Sequence, residues 1–300
     1  MPDLAPLGDC GAPSGGRALW LRASDGVRLR VAVWEGDRPV LILPGRTEYI
    51  EKYGLVVANL AAAGRGAVVV DWRGQGLADR ALRDPAKGHV AHFAEYQRDL
   101  DAVLGAGLLP PGAPWLAHSM GGCIALRGLM RGLPCSAVAL SAPMLGLAQP
   151  RALTTALELM AALGGPVGAD TGYAPTTGPA FGLPSMPFEI NNLTHDPAQF
   201  ARMKAQISAD PRLSLGGPTL RWMAAALAEM RALAAMPSPR VPALFGLGAD
   251  EAIVSPQAIR ERVARWPGAE LAEYPAKHEL LMERPATRDD FLRRALALFG

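Results

Sequence analysis

The chain has few cysteines, few aromatic residues and almost no excess of charge. Three cysteines, Cys10, Cys123 and Cys135, stand in 300 residues. An odd, sparse set is no disulfide framework, and none falls in the Cys-x-x-Cys pair typical of zinc sites. Cys123 and Cys135 lie in apolar stretches, where thiols are usually buried and inert. A reducing compartment fits this usage, so a cytoplasmic protein is expected. The formal net charge is only +2. Lys and Arg form no long run, so nucleic acid is not an expected partner. No uninterrupted apolar run approaches the roughly 20 residues of a membrane helix. The start, Met1-Pro2-Asp3-Leu4, lacks the basic and apolar regions of a signal peptide. Transient contact with the inner face of a membrane stays open, and so does the oligomeric state.

Half of the residues are hydrophobic, enough for a large core. Residues 1–16 are rich in Gly and Pro and are expected to be mobile. Two alternating runs, Leu19 to Arg22 and Val27 to Trp34, flank Ser24-Asp25-Gly26, a hairpin signal. Short apolar strands then alternate with helices. The strands are Val40–Leu43, Ala67–Val70, Trp115–Ala117 and Ala137–Leu140, and later Ala243–Leu247 and Glu270–Tyr274. The helices begin near Tyr49, Phe93 and Met120, and later near Pro256 and Arg288. This alternation predicts an α/β protein with a mostly parallel, eight-stranded sheet covered on both faces. The pattern breaks over residues 143–236, where Pro and Gly punctuate helix-like segments. That region reads as an insertion over the C-terminal edge of the sheet, between core segments 17–142 and 237–300.

Ala117-His118-Ser119-Met120-Gly121-Gly122 follows a strand and opens a helix. This is the context of a nucleophile elbow, in which a sharp turn exposes a serine hydroxyl and demands small neighbours. Ser119 could instead cap the helix, a common role for Ser, but the strand-turn-helix context favours a nucleophile. A serine hydroxyl needs a general base, and the base an orienting acid. In this arrangement the order along the chain is Ser, acid, His. After Ser119 only His195 and His278 remain. His278 follows the last strand and is the expected base. His195 precedes Asp196-Pro197 and reads as part of a helix start. His118 is expected to pack or to line the site mouth. The loop after the preceding strand offers two adjacent carboxylates, Asp250 and Glu251, and chemistry alone does not choose between them.

These motifs resemble the lysophospholipase and monoacylglycerol lipase group of α/β hydrolases, also called serine aminopeptidase or hydrolase-4 proteins, with the lysophospholipase L2 type nearest in pattern. The resemblance runs from about residue 18 to the end. The family's H-G-x-x-E-H loop is similar to Pro44-Gly45-Arg46-Thr47-Glu48-Tyr49, and its D-x-R-G-x-G-x-S loop to Asp71 through Ala78. Its G-x-x-D-x-I-V acid loop resembles Gly248 through Val254, and its H-E-x-x-x-E resembles His278 through Glu283. In that pattern the acid stands two before Ile-Val. The resemblance therefore favours Glu251, with Asp250 in reserve. It also implies an oxyanion hole from the backbone N–H groups of Arg46 and Met120. Both histidines of the first motif are replaced, by Pro44 and Tyr49. The Arg46 side chain could meet an anionic head group or stand exposed on its loop. Arg73 and the glycines beside it read as structural.

The resemblance further implies that the insertion forms a lid over the site. Its Leu145, Leu147, Leu153, Leu157, Met160, Phe181, Phe188, Trp222 and Met223 could line an acyl pocket or form the lid's own core. The expected activity is hydrolysis of a lipid-like ester, a lysophospholipid or monoacylglycerol, with no metal or organic cofactor implied. An amidase of the proline-iminopeptidase type is the alternative. It would need an anionic pocket built from Glu158, Asp170, Glu189, Asp196, Asp210 or Glu229. A hydrolase-fold binding protein without turnover is a third reading.

Overall fold

A computed structural model describes residues 3–180 and 182–300 of the protein. Its centre is a nine-stranded sheet. The chain runs β1 (Leu4–Ala5), β2 (Arg17–Arg22), β3 (Arg28–Trp34), β4 (Asp37–Leu43), α1 (Gly54–Ala62), β5 (Arg65–Asp71), α2 (Ala94–Gly105), β6 (Trp115–His118), α3 (Met120–Met130) and β7 (Val138–Ser141). Then follow α4 (Arg151–Gly164), α5 (Pro197–Ala209) and α6 (Leu220–Ala235). The core resumes with β8 (Ala243–Gly248), α7 (Pro256–Ala264), β9 (Ala269–Tyr274) and α8 (Pro285–Phe299).

The strand order is β1-β2-β3-β5-β4-β6-β7-β8-β9. Pairing is antiparallel from β1 to β5 and parallel from there to β9. Helices cover both sides. The parallel strands are therefore buried on both faces, which is why they read as unbroken apolar runs such as Val40–Leu43 and Ala67–Val70, all fully buried.

The sheet has one strand more than expected. The eight expected strands are present, and β1 comes from the leader expected to be mobile. Leu4 pairs with Leu19 and Ala5 with Ala18. Behind them, Gly8 N–H donates to Glu51 Oε1 at 3.0 Å, and Cys10 is buried. A two-residue strand has no periodicity to detect, and the Gly and Pro content around it masks the anchoring.

The order reverses at β4, whose neighbours are β5 on one side and β6 on the other. Such a switch point opens a crevice at the carboxyl ends of the strands. Here it lies between the loop after β4, residues 44–49, and the turn after β6 at Ser119.

The insertion between β7 and β8 is helical. Leu157, Ala161, Ala174 and Leu220 form its own small core. Leu145 and Trp222 join the main core, with Leu147, Phe188 and Met223 packed against it. Leu153 and Met160 are exposed. Phe181 lies outside the described residues. No helix among the described residues is long and apolar enough to cross a membrane.

Candidate active site

Ser119 sits between β6 and α3 with φ 48° and ψ −115°. A left-handed φ is strained for a residue with a Cβ and is held only where the surroundings over-determine it. Here Ser119 N–H donates to Ser141 O at 3.0 Å, and Ser119 O accepts from the amides of Gly122, Cys123 and Met144. The turn also presses α3 against β4. A Cβ on Gly121 would lie 2.0 Å from Leu43 O, so only glycine fits.

Ser119 Oγ lies 2.9 Å from Nε2 of His278, whose Nδ1 lies 2.7 Å from Glu251 Oε2. The other Glu251 oxygen accepts from the amides of Ile253 at 2.7 Å and Val254 at 3.1 Å. Burial would raise the Glu251 carboxyl, but the His278 hydrogen bond and these amides outweigh it and hold it below the usual range. An ionised Glu251 fixes the proton on Nδ1 and leaves Nε2 free to accept from the serine hydroxyl.

Asp250 turns elsewhere. Its carboxylate is largely exposed and faces His195 Nε2 at 3.2 Å, while His195 Nδ1 faces Glu283 at 3.3 Å. His195 directly precedes the N-cap of α5, Asp196, whose side chain accepts from Ala198 and Gln199. This stretch of the insertion grips the His278 loop. His278 N–H donates to Asn192 O, Glu279 N–H to Leu193 O, and Thr194 Oγ1 to Met282 O.

His118 packs rather than lining a mouth. It is 3 % exposed, its Nδ1 lies 3.0 Å from Ser141 O, and its ring centroid stands 4.8 Å from that of His278. Burial pushes its pKa down to about 4, so it is neutral at pH 7.

Beneath the two histidines lies a charge cluster that motif reading passed over. Lys52 Nζ stands 2.7 Å from both Glu48 and Glu279, and Tyr53 OH donates to Glu48 at 2.5 Å. Burial would raise the Glu48 carboxyl, yet the Lys52 charge outweighs it and holds the carboxyl below the usual range. Glu48, His118 and Glu279 could in principle share a cation. Lys52 already supplies the positive charge between the two carboxylates. The signal in the sequence was the Glu48/Lys52 spacing of four beside the elbow's partner loop.

The loop after β4 is pinned by backbone contacts. Gly45 N–H donates to Glu48 Oε2, and Gln75 Nε2 donates to Gly45 O at 2.7 Å and Glu48 O at 3.0 Å. Both replaced histidine positions are structural. Pro44 O accepts from Trp72 Nε1 at 2.9 Å, and Tyr49 OH donates to Met203 O at 3.1 Å in α5. The amides of Arg46 and Met120 have no acceptor among the described residues. Arg73 is held by Asp99 and Asp25, and Asp71 accepts from Arg30, Ile50 and Leu77. A Cβ on Gly76 would collide with that Asp71 carboxylate.

Residues 35–285 match the family model described as Hydrolase_4, serine aminopeptidase S33. The chain belongs to this family. Among curated proteins it is 34 % identical over 281 residues to lysophospholipase L2 of Escherichia coli K12, covering 88 % of this chain and 81 % of that one. It is 27 % identical over 260 residues to a probable lysophospholipase L2 of Haemophilus influenzae, covering 85 % of this chain and 81 % of that one. Among solved structures, a soluble variant of Saccharomyces cerevisiae monoglyceride lipase superposes with a TM-score of 0.75 at 17 % identity, over 98 % of this chain and 99 % of that one. The Paleococcus ferrophilus monoacylglycerol lipase gives 0.70 at 18 % identity, over 90 % and 98 %. These superpositions show a shared α/β-hydrolase fold.

Proposed function

We propose that this protein is a serine hydrolase that cleaves a carboxylic ester of a lipid-like substrate, a lysophospholipid or a monoacylglycerol. The observation that carries the reading is the continuous line Ser119 Oγ, His278, Glu251, with separations of 2.9 and 2.7 Å. Ser119 attacks the ester carbonyl while His278 Nε2 takes the hydroxyl proton. Glu251 stabilises the imidazolium that forms. The amides of Arg46 and Met120 receive the oxyanion. Collapse expels the alcohol, protonated by His278, and leaves an acyl-serine. Water, deprotonated by His278, then releases the fatty acid and restores Ser119. The name of the Escherichia coli relative, lysophospholipase L2, supports a lipid substrate.

The amidase alternative is disfavoured by where the insertion's carboxylates go. Asp170 pairs with Arg221, Glu158 with Arg231, Glu229 with Arg127 and Asp210 with Arg212, while Asp196 caps α5. These five, all of the named carboxylates but Glu189, face separate partners instead of converging on one amine.

The insertion acts as the lid. Ser119 is 7 % exposed, and the insertion packs on the His278 loop beside it through Asn192, Leu193 and Thr194. Helix α4 offers the membrane-facing surface. Leu153, Leu159, Met160 and Leu163 stand exposed along it, with Val167 just beyond. Such a stripe suits transient contact with the membrane's inner face by a cytoplasmic protein. The test is turnover of a panel of lysophospholipids, monoacylglycerols and proline amides. Turnover of esters is expected; turnover of amides alone would overturn the reading. Leu159→Ser with Leu163→Ser should weaken sedimentation with phospholipid vesicles.

A further inference from the structure

Arg46 carries a half-buried guanidinium that has no counter-charge among the described residues. The fold's other arginines set within its interior are answered. Arg30 is held by Glu51 and Asp71, and Arg73 by Asp25 and Asp99. Arg262 meets no carboxylate among the described residues but gives its N–H groups to Leu233 O, Met236 O and Ser238 Oγ. Arg46 makes one hydrogen bond, from Nη2 to Gly216 O at 2.8 Å, among the described residues. Its Nε is buried with no acceptor. The guanidinium lies 5.1 Å from the ring centre of Trp222, whose Nε1 is already committed to Tyr96 OH at 3.0 Å. Burial lowers its pKa to about 10, and the group stays charged at neutral pH.

A charge drawn partly out of water without an opposite charge beside it is unfavourable. Stacking on Trp222 and one carbonyl do not require a cation with five donors; a neutral residue would serve. The place is specific too. Gly45, the preceding residue, abuts the nucleophile, since a Cβ there would lie 3.2 Å from Ser119 Cβ. The Arg46 side chain runs from this point toward Gly88 and the insertion. In a lysophospholipid, the three-carbon glycerol bridge separates the ester carbonyl from the phosphate, a span comparable to an extended arginine side chain. One residue can therefore offer its amide to the carbonyl oxygen and its guanidinium to the phosphate, the geometry for which arginine is suited.

We infer that the Arg46 guanidinium receives the phosphate of a lysophospholipid bound for attack by Ser119, and so selects that substrate over a monoacylglycerol. This rests on the ester-hydrolase reading. The test compares wild type, Arg46→Gln and Arg46→Lys on a lysophospholipid and a monoacylglycerol of the same acyl chain, with a p-nitrophenyl ester as a second uncharged reference. The readout is the ratio of kcat/KM, phosphate-bearing over uncharged, within one preparation. A partly unfolded variant lowers both values equally and leaves the ratio intact. For Arg46→Gln the ratio should fall about tenfold to a hundredfold, as for loss of a charged hydrogen bond. Arg46→Lys, which keeps the charge but not the fork, should fall less than Arg46→Gln. An unchanged ratio in Arg46→Gln, or an equal fall in Arg46→Lys, overturns the inference. So does inhibition of p-nitrophenyl ester turnover by inorganic phosphate with an unchanged lysophospholipid ratio, which would mark a free-anion site. A wild type that cleaves only uncharged esters sinks this inference but leaves the hydrolase reading standing. A wild type that cleaves no ester sinks both.

Discussion

Glu251 Oε2 lies 2.7 Å from His278 Nδ1, while its neighbour Asp250 points to His195. Two carboxylates adjacent in sequence thus serve two different histidines. Glu251→Gln should keep the shape and lose the charge, dropping kcat by about 10³ to 10⁴, the scale seen when a triad acid is neutralised. Asp250→Asn should stay within about fivefold, as an exposed ion pair contributes little. Turnover of a p-nitrophenyl ester separates the two. A larger loss in Asp250→Asn would reassign the acid.

Lys52 is the only cation between two buried carboxylates, Glu48 and Glu279, among the described residues. Lys52→Met leaves both without it. Breaking such a pair by removing one partner costs about 3–5 kcal/mol. Urea unfolding should show a loss of that order, and a loss below about 1 kcal/mol would contradict the role assigned to the cluster.

His118 makes stability fall with acid. Its ordinary pKa of 6.5 is pushed down to about 4 by burial. Between those values the unfolded chain binds the proton and the folded chain does not, so stability drops as pH falls through the window. The effect is on the order of 3 kcal/mol. Asp99, raised by burial to about 6, works in the opposite sense over an overlapping range. The comparison is therefore wild type against His118→Asn. The melting temperature of the wild type should fall more steeply from pH 6.5 to 4. Parallel curves would contradict the account.

Much of this architecture was visible in the chain itself. Buried parallel strands read as apolar runs because both their faces are covered. The turn at Ser119 is visible because steric pressure from Leu43 O and Pro143 leaves only small residues at 121 and 122. The choice between Asp250 and Glu251 was not visible in the chemistry, since both are carboxylates on one loop, and it needed a family register. The Lys52 cluster escaped because its contact with Glu279 spans 227 residues, and no local pattern reports such a pairing. Where the Arg46 side chain packs was not legible either, because its partners Gly216 and Trp222 lie far along the chain. The leader looked mobile because two residues of pairing leave no periodic trace.

The central claim is that Ser119 forms the acyl-enzyme. Its most direct test is intact-mass measurement after treatment with a fluorophosphonate, followed by peptide mapping. Wild type should gain one adduct, on Ser119, and Ser119→Ala should gain none while retaining the wild-type fold by circular dichroism. An adduct of equal yield on Ser119→Ala, or none on folded wild type, would contradict the claim.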